Sequence, residues 1–232
     1  GFDLMGIRAP YSSLVAYAGD PVVMRKTVGM AKDAGIAIGA HPGYPDLQGF
    51  GRRDMNLSPD EAYSYMLYQI GALQAFCAAA GVPLRHVKPH GQLYNHAAVD
   101  PELAAALAQA VRDVDDRLVL VGLANSALVD EGRKIGLVTA EEFFTDRNYT
   151  DEGKLVSRND PAALIRNEEE AIERVKNAIR DGAILSVNGK LIDLHADTIC
   201  VHGDSPTALA FVRRTREALE EDGIAIKPVG GR

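Results

Sequence analysis

The chain has 232 residues, 47% of them hydrophobic, and a formal net charge of −7, which fits one large domain over residues 1–232. Lysine and arginine are scattered and no apolar run is long enough to span a bilayer, so neither nucleic acid nor a membrane is expected as a partner. The two cysteines, Cys77 and Cys200, lack CxxC spacing and sit in apolar runs, which is typical of reduced thiols in a cytoplasmic protein.

Up to residue 88 the sequence predicts two helices, two strands and a long loop. Asp20 ahead of Pro21 is typical of a helix start. Ser58-Pro59-Asp60-Glu61 has the pattern of a capping box, and Gly81 is a typical helix end. The expected elements are a helix over 21–34, a strand over 36–40, a Gly/Pro-rich loop over 41–56, a helix over 58–80 and a strand over 84–88.

The same alternation continues to the end of the chain. The expected elements are a helix over 101–114, a strand over 118–123, a helix over 126–135, a strand over 137–141, a polar loop to about 160, a helix over 168–180, a strand over 198–201, a helix over 206–222 and a strand over 224–227. Alternating strands and helices predict an α/β fold with a mainly parallel sheet. The pattern fits an open doubly wound sheet and a barrel equally well.

Three predicted strands lead into a histidine that is followed closely by glycine: His41, His90 and His202. In parallel α/β folds the carboxyl ends of the strands lie at one edge, where active sites are assembled. We therefore expect the three imidazoles to meet at one site. His96 and His195 lack this context and are expected to have ordinary surface or loop roles.

The loop over residues 41–53 is rich in glycine and proline and carries three polar candidates. Asp46 offers a carboxylate near His41, and Arg52 and Arg53 offer guanidinium groups for an anionic ligand. An ordinary surface loop is the alternative, but so many rigid residues in one loop favour a functional site.

His86, Lys88 and His90 alternate along a predicted strand and therefore share one face. Lys88 among apolar walls is expected either to have a lowered pKa or to bind an anion. His86 alone is equally well explained as a core histidine. No HExxH, Walker A, GxGxxG or GxSxG motif occurs, which argues against a P-loop ATPase, a Rossmann dehydrogenase and a common serine hydrolase.

Two further segments follow predicted strands. Asp146 and Arg147 either contribute to the site or pair with each other at the surface. His202 is followed by Asp204, a candidate cap for the helix that Pro206 begins, and the N–H groups of that helix start would suit an anion.

These segments together resemble the LamB/YcsF family over roughly residues 18–232. The motifs are Ala18-Gly19-Asp20-Pro21, Ile38-Gly39-Ala40-His41-Pro42-Gly43-Tyr44-Pro45-Asp46 with Gly49-Phe50-Gly51-Arg52-Arg53, Tyr68-Gln69-Ile70-Gly71-Ala72-Leu73, Val87-Lys88-Pro89-His90-Gly91-Gln92-Leu93-Tyr94-Asn95, Asp146-Arg147 with Tyr149, and Val201-His202-Gly203-Asp204. The resemblance implies a distorted seven-stranded β/α barrel, TIM-like and similar to that of polysaccharide deacetylases. It also implies ATP-dependent hydrolysis of 5-oxo-L-proline to L-glutamate, with ATP as co-substrate and two partner subunits, B and C.

For that reaction, residue chemistry suggests His41 and His90 as general base or metal ligands, with Asp46 orienting or ligating. Lys88, Arg52 and Arg53 would hold the substrate carboxylate or a phosphate. Further candidates for substrate or phosphate binding are Asn95, Asp146, Arg147, His202 and Asp204. A divalent ion (Zn²⁺, Mg²⁺ or Mn²⁺) and a homo-oligomer are open possibilities.

Two other functions compete with this one. A metal-dependent deacetylase acting on a carbohydrate would also use several histidines and a carboxylate. A non-catalytic binding subunit is the second alternative, because residues 1–17 do not match the family pattern and Tyr17 stands where the family has a histidine.

Overall fold

Strands and helices alternate along the chain, as the sequence predicts. The structure is a computed structural model that describes residues 4–5, 11–14, 20–157, 160–165, 167–201 and 208–226. The strands within these ranges are β1 (Leu4–Met5), β2 (Tyr11–Leu14), β3 (Ala37–Ala40), β4 (Leu84–Val87), β5 (Val119–Leu123), β6 (Thr139–Phe144), β7 (Ala183–Leu185), β8 (Leu191–Asp193) and β9 (Thr198–Val201). The helices are α1 (Pro21–Asp33), α2 (Pro59–Ala80), α3 (Gly91–Ala97), α4 (Pro101–Val114), α5 (Ala127–Lys134), α6 (Glu168–Asp181) and α7 (Ala208–Glu221), with a 3-10 turn over Pro161–Ala163.

A curled parallel sheet of five strands, shaped like a half-barrel, forms the centre of this α/β domain. β3, β4, β5, β6 and β9 follow one another in it, each parallel to the next. At its edges β2 pairs in parallel with β3, and β1 pairs antiparallel with β2 and β9. β7 and β8 form a separate antiparallel hairpin. The parallel sheet is therefore confirmed, while a complete seven-stranded barrel stays a prediction.

The predicted helix starts are formed by side chains that satisfy free backbone N–H groups. The Asp20 carboxylate accepts hydrogen bonds from the backbone N–H of Val22 and of Val23 at the start of α1. At the start of α2, Ser58 and Glu61 form the predicted capping box. Both helices therefore begin and end within one residue of their predicted bounds.

The helices bury one face against the sheet and against each other. On α4 the buried residues Leu103, Leu107 and Val111 recur every four positions, which is the spacing of one helix face. α4 packs on α2 and α5, and α1, α2 and α5 pack on the sheet. Cys77 and Cys200 are both buried. Within the described ranges, no helix combines the length and the apolar character needed to cross a bilayer.

Several segments differ from the sequence prediction. β6 starts two residues later than predicted and continues to Phe144, so Glu142 lies inside a strand rather than in a loop. The short helix α3 and the β7–β8 hairpin were not predicted. The prediction of a strand over 224–227 is wrong for residues 224–226, which have no regular structure. The Ile224 N–H donates a hydrogen bond to Leu219 O at the end of α7. The Ile224 side chain packs against the apolar core, and this contact takes the place of pairing with a strand.

A glycine inside β3 makes room for a histidine of the neighbouring strand. A Cβ atom built on Gly39 would collide with the imidazole ring of His86. His86 is 2% exposed, so its ring has little space to move away. The close approach of β3 and β4 therefore depends on the missing side chain.

We expect Gly39→Ala to destabilise the protein by about 1–3 kcal/mol, because the added methyl group forces the buried His86 ring to shift. Urea denaturation measures the effect. Gly71→Ala is the matched control, since Gly71 lies in α2 with open space around it, and alanine there should add about 0.5–1 kcal/mol. A Gly39→Ala protein as stable as the control would contradict this account of the β3–β4 contact.

Candidate active site

A cavity of about 530 Å³ lies where the carboxyl ends of β3, β4, β5 and β6 meet. Among the described residues that line it, the charged side chains are mostly basic, with four permanent cations against the carboxylates of Asp54 and Glu152. The cations are Arg52, Lys88, Arg147 and Lys154. A concave site with this balance of charge suits a small anionic ligand.

Two histidines from neighbouring strand ends meet at the wall of this cavity. His41 follows β3, and His90 lies three residues after β4. Their ring centroids are 4.8 Å apart, and His41 Nε2 lies 3.1 Å from His90 Nδ1. His41 is 2% exposed and His90 7% exposed. The convergence that the sequence predicts is thus confirmed for this pair.

Backbone carbonyl groups fix the protonation of both rings. His41 Nδ1 lies 2.6 Å from Lys88 O, and His90 Nε2 lies 2.7 Å from Phe50 O. A carbonyl oxygen only accepts hydrogen bonds, so both of these ring nitrogens carry a proton. In a neutral ring the second nitrogen is a hydrogen-bond acceptor, so His41 Nε2 and His90 Nδ1 would face each other as acceptors.

The ammonium of Lys88 is held next to the cavity by an ion pair. Lys88 Nζ lies 2.8 Å from Glu142 Oε1 and 3.3 Å from Cys200 Sγ. It also lies 5.2 Å from the ring centre of Phe144 and 5.8 Å from that of Tyr94, within cation–π range. These contacts make Lys88 a fixed cation, which favours the anion-binding role over that of a neutral amine.

Tyr94 completes the surroundings of the Glu142 carboxylate. Its hydroxyl donates to Glu142 Oε2 over 2.9 Å. Burial, followed by the nearby charge of Glu142, raises the pKa of Tyr94 well above its usual value, so this hydroxyl remains a donor. Each oxygen of the buried carboxylate therefore has a defined contact, as a buried charge requires.

The loop over residues 41–53 is braced by its own acid and base. The Asp46 carboxylate accepts hydrogen bonds from Gly49 N and from Arg53 Nε, each at 2.9 Å, and pairs with Arg53 Nη2. The hydrogen bond from Arg53 is the main reason why the pKa of Asp46 falls to about 2. This pair stabilises the loop that brings Phe50 O to His90 and Arg52 to the cavity.

His86 lies beneath the site and stays uncharged at neutral pH. Burial, aided by the charges of Lys88 and His41, lowers the pKa of His86 to about 3. Its ring packs against Gly39 of β3. Of the two roles open to His86, the structure favours that of a core histidine.

Comparison with known proteins agrees with these motifs. The sequence profile of the LamB/YcsF family matches residues 13–232. The chain belongs to the LamB/YcsF family.

Named relatives and one solved structure cover most of the chain. Over 213 residues it is 50% identical to the 5-oxoprolinase A subunit of Pyrococcus abyssi, and these residues make up 92% of this chain and 84% of that protein. Over 211 residues it is 54% identical to the 5-oxoprolinase A subunit of Geobacillus kaustophilus, and these residues make up 91% of this chain and 82% of that protein. The crystal structure of a lactam utilization protein from Thermus thermophilus has a TM-score of 0.85 and 44% identity, over 93% of this chain and 87% of that chain.

The candidate residues of this LamB/YcsF chain fall into two groups. Most of the candidates within the described ranges line the same cavity: His41, Arg52, Lys88, His90, Asn95 and Arg147. Asp46 and Arg53 instead contact each other within their loop. Asp146 accepts a hydrogen bond from Ile165 N through its backbone carbonyl, while Arg147 Nη2 donates to Val156 O over 2.5 Å. His202 and Asp204 lie outside the described residues.

Sequence reasoning missed Glu142 as the partner of Lys88. Glu142 is fully buried. Glu141 beside it points to the other face of β6, where its Oε2 lies 2.9 Å from Arg133 Nη2. Two adjacent acids in an apolar strand put one carboxylate on each face of the sheet. This alternation could have identified Glu142 from the sequence, but the predicted strand ended at residue 141 and left Glu142 in a loop.

We expect Glu142→Gln to destabilise the protein by about 3–5 kcal/mol, because the Lys88 ammonium stays buried without its carboxylate. Chemical denaturation measures the change. The double variant Lys88→Met/Glu142→Gln is the control, since glutamine can still accept from Tyr94 and no charge remains. It should recover much of the lost stability, and a double variant no more stable than Glu142→Gln would refute the ion-pair interpretation.

The Asp46–Arg53 pair predicts a pH dependence of stability. The folded pKa of Asp46, about 2, lies below the reference value of 3.8, so the carboxylate stabilises the fold above about pH 4 and loses this effect as pH falls towards 2. We expect the difference in unfolding free energy between wild type and Asp46→Asn to narrow across that interval. Denaturant titrations at several pH values test it, and a difference that stays constant would contradict the assignment.

Proposed function

We propose that this chain is the A subunit of an ATP-dependent 5-oxoprolinase, which acts with partner subunits B and C in the cytoplasm. The reaction opens 5-oxo-L-proline to L-glutamate while ATP becomes ADP and phosphate. The observation that carries the proposal is the identity of 50–54% to proteins named as the A subunit of 5-oxoprolinase, over more than nine-tenths of this chain. The basic cavity, which suits a carboxylate substrate and its phosphorylated forms, supports it independently.

We propose a distorted seven-stranded barrel for the complete domain. The pairing of β2 with β3, and of β1 with both β2 and β9, supports this arrangement. The cavity would then lie at the carboxyl ends of the barrel strands, where TIM-like enzymes assemble their active sites.

The chemistry has to overcome the stability of a lactam. Phosphoryl transfer from ATP to the lactam oxygen releases ADP and makes the carbonyl carbon a better electrophile. Water then adds to that carbon, and the ring C–N bond breaks as the nitrogen takes up a proton. A second water hydrolyses the resulting acyl phosphate to glutamate and phosphate, so one ATP and two waters are consumed.

The described residues fit the needs of these steps. Arg52 and Arg147 would bind the carboxylate or phosphate oxygens. Lys88, fixed by Glu142, would supply a further positive charge. The His41–His90 pair would act on the lactam carbonyl and the attacking water, because it is the only described pair of imidazoles at the cavity wall.

Reconstitution with subunits B and C tests the function. We expect glutamate release that requires both ATP and 5-oxoproline, with a rate at least about 100-fold lower for His41→Asn and for His90→Gln, because loss of one such group costs at least this factor. His195→Ala is the matched control, since His195 is exposed and pairs with Asp197 away from the cavity. Full turnover in both cavity variants would remove the pair from catalysis. Absence of any 5-oxoproline-dependent turnover in the complete mixture would refute the function itself.

A further inference from the structure

We propose that Gln69 on α2 is a positioning residue for the His41–His90 pair. Its side-chain amide holds the backbone of Gly43, in the segment that connects the two imidazoles. Gln69 lies in the motif Tyr68-Gln69-Ile70-Gly71-Ala72-Leu73, none of which is among the described residues that line the cavity. This role rests on the proposed function, in which the pair acts on the lactam, and it connects the motif to the site.

The Gln69 amide makes a two-point contact with the backbone of Gly43. Gln69 Oε1 accepts a hydrogen bond from Gly43 N over 3.0 Å, and Gln69 Nε2 donates to Gly43 O over 2.9 Å. The second N–H of Nε2 donates to Tyr65 O, one turn earlier on α2. Turning the amide around would set N–H against N–H, so these contacts fix the orientation of the side chain.

The backbone of Gly43 depends on this contact because Gly43 lies in no helix or strand. Gly43 is buried, and so is Gln69, which is 4% exposed. Buried N–H and C=O groups need hydrogen-bond partners, and a side chain has to supply them where regular structure does not. Without the amide, the segment would have to move until both groups found other partners.

Gly43 and its neighbour Pro42 connect the two histidines. Pro42 follows His41 in the chain, and its carbonyl accepts a hydrogen bond from His90 N over 2.8 Å. A Cβ atom built on Gly43 would lie 3.4 Å from His90 Cβ and from His90 Cδ2, so the backbone of Gly43 lies against the His90 side chain. A displacement of Gly43 therefore shifts both imidazoles, whose facing nitrogens are 3.1 Å apart.

Two substitutions of Gln69 separate its hydrogen bonds from its bulk. Gln69→Met keeps a side chain of similar size but removes both hydrogen bonds to Gly43. In Gln69→Glu the neutral acid can still accept from Gly43 N and donate to Gly43 O, whereas the ionised form can only accept and repels the Gly43 carbonyl. Gln74→Met is the matched control, because Gln74 lies five residues further along α2 and is turned about 140° around the helix from Gln69.

The first measurement uses the full chain alone and records the imidazole NMR signals of protein labelled at histidine. The variants His41→Asn and His90→Gln assign the two signals, and circular dichroism checks that each variant folds. We expect Gln69→Met to shift both signals and Gln74→Met to leave them in place. Should Gln69→Met fail to fold, the signals of Gln69→Glu are compared with those of wild type across pH. Signals that match wild type in the folded Gln69 variant would overturn the proposal.

The second measurement uses the complex reconstituted with subunits B and C. We expect Gln69→Met to lower kcat about 10–100-fold, because misplacing a catalytic group by about 1 Å can cost about 100-fold. KM should change little, since Arg52 and Arg147 are held by other contacts. The kcat of Gln69→Glu relative to wild type should fall as pH rises.

The outcomes distinguish the positioning role from the function on which it rests. A wild-type kcat in Gln69→Met would overturn the positioning role while leaving the function intact. A wild-type complex without turnover would refute the proposed function and with it the catalytic purpose of Gln69. In that case shifted histidine signals in Gln69→Met would still establish the contact between Gln69 and the imidazole pair.

Discussion

Lys88 joins the carboxyl ends of the strands that build the site. Its backbone N–H donates to Ala40 O at the end of β3, and its carbonyl accepts from His41 Nδ1. Its ammonium reaches Glu142 on β6 and Cys200 on β9. One residue thereby connects β3, β4, β6 and β9 at the edge where the cavity opens. The positions of the Lys88 ammonium and of the His41 imidazole therefore both depend on Lys88.

Such an arrangement is a poor choice for stability alone. Two charges removed from water lose hydration that their mutual attraction only partly restores, and a well-packed apolar pair of similar size is often as stable. The chain nevertheless keeps Lys88 and Glu142 buried, with Tyr94 to complete the contacts of the carboxylate. A fixed positive charge beside the cavity is the property that apolar residues could not provide, so the ion pair points to ligand binding.

The parts of the structure that follow from local signals could be predicted from the sequence. Asp20 and Ser58 cap their helices as their spacing indicates. The meeting of His41 with His90 follows from a general property of parallel sheets, whose strand ends share one edge. Prediction failed where the result depends on register between distant segments. The predicted strand ended at residue 141, whereas β6 continues to Phe144, so the choice of Glu142 over Glu141 required the structure.

The basic character of the cavity is also a product of folding rather than of sequence clusters. The chain carries a net charge of −7, and its lysines and arginines are scattered. Arg52, Lys88, Arg147 and Lys154 come from three different strand-to-helix connections, yet they line one cavity. A concave surface with low-dielectric walls concentrates the field of such charges. An overall acidic protein can thus attract a small anion to one site while its outer surface repels larger polyanions.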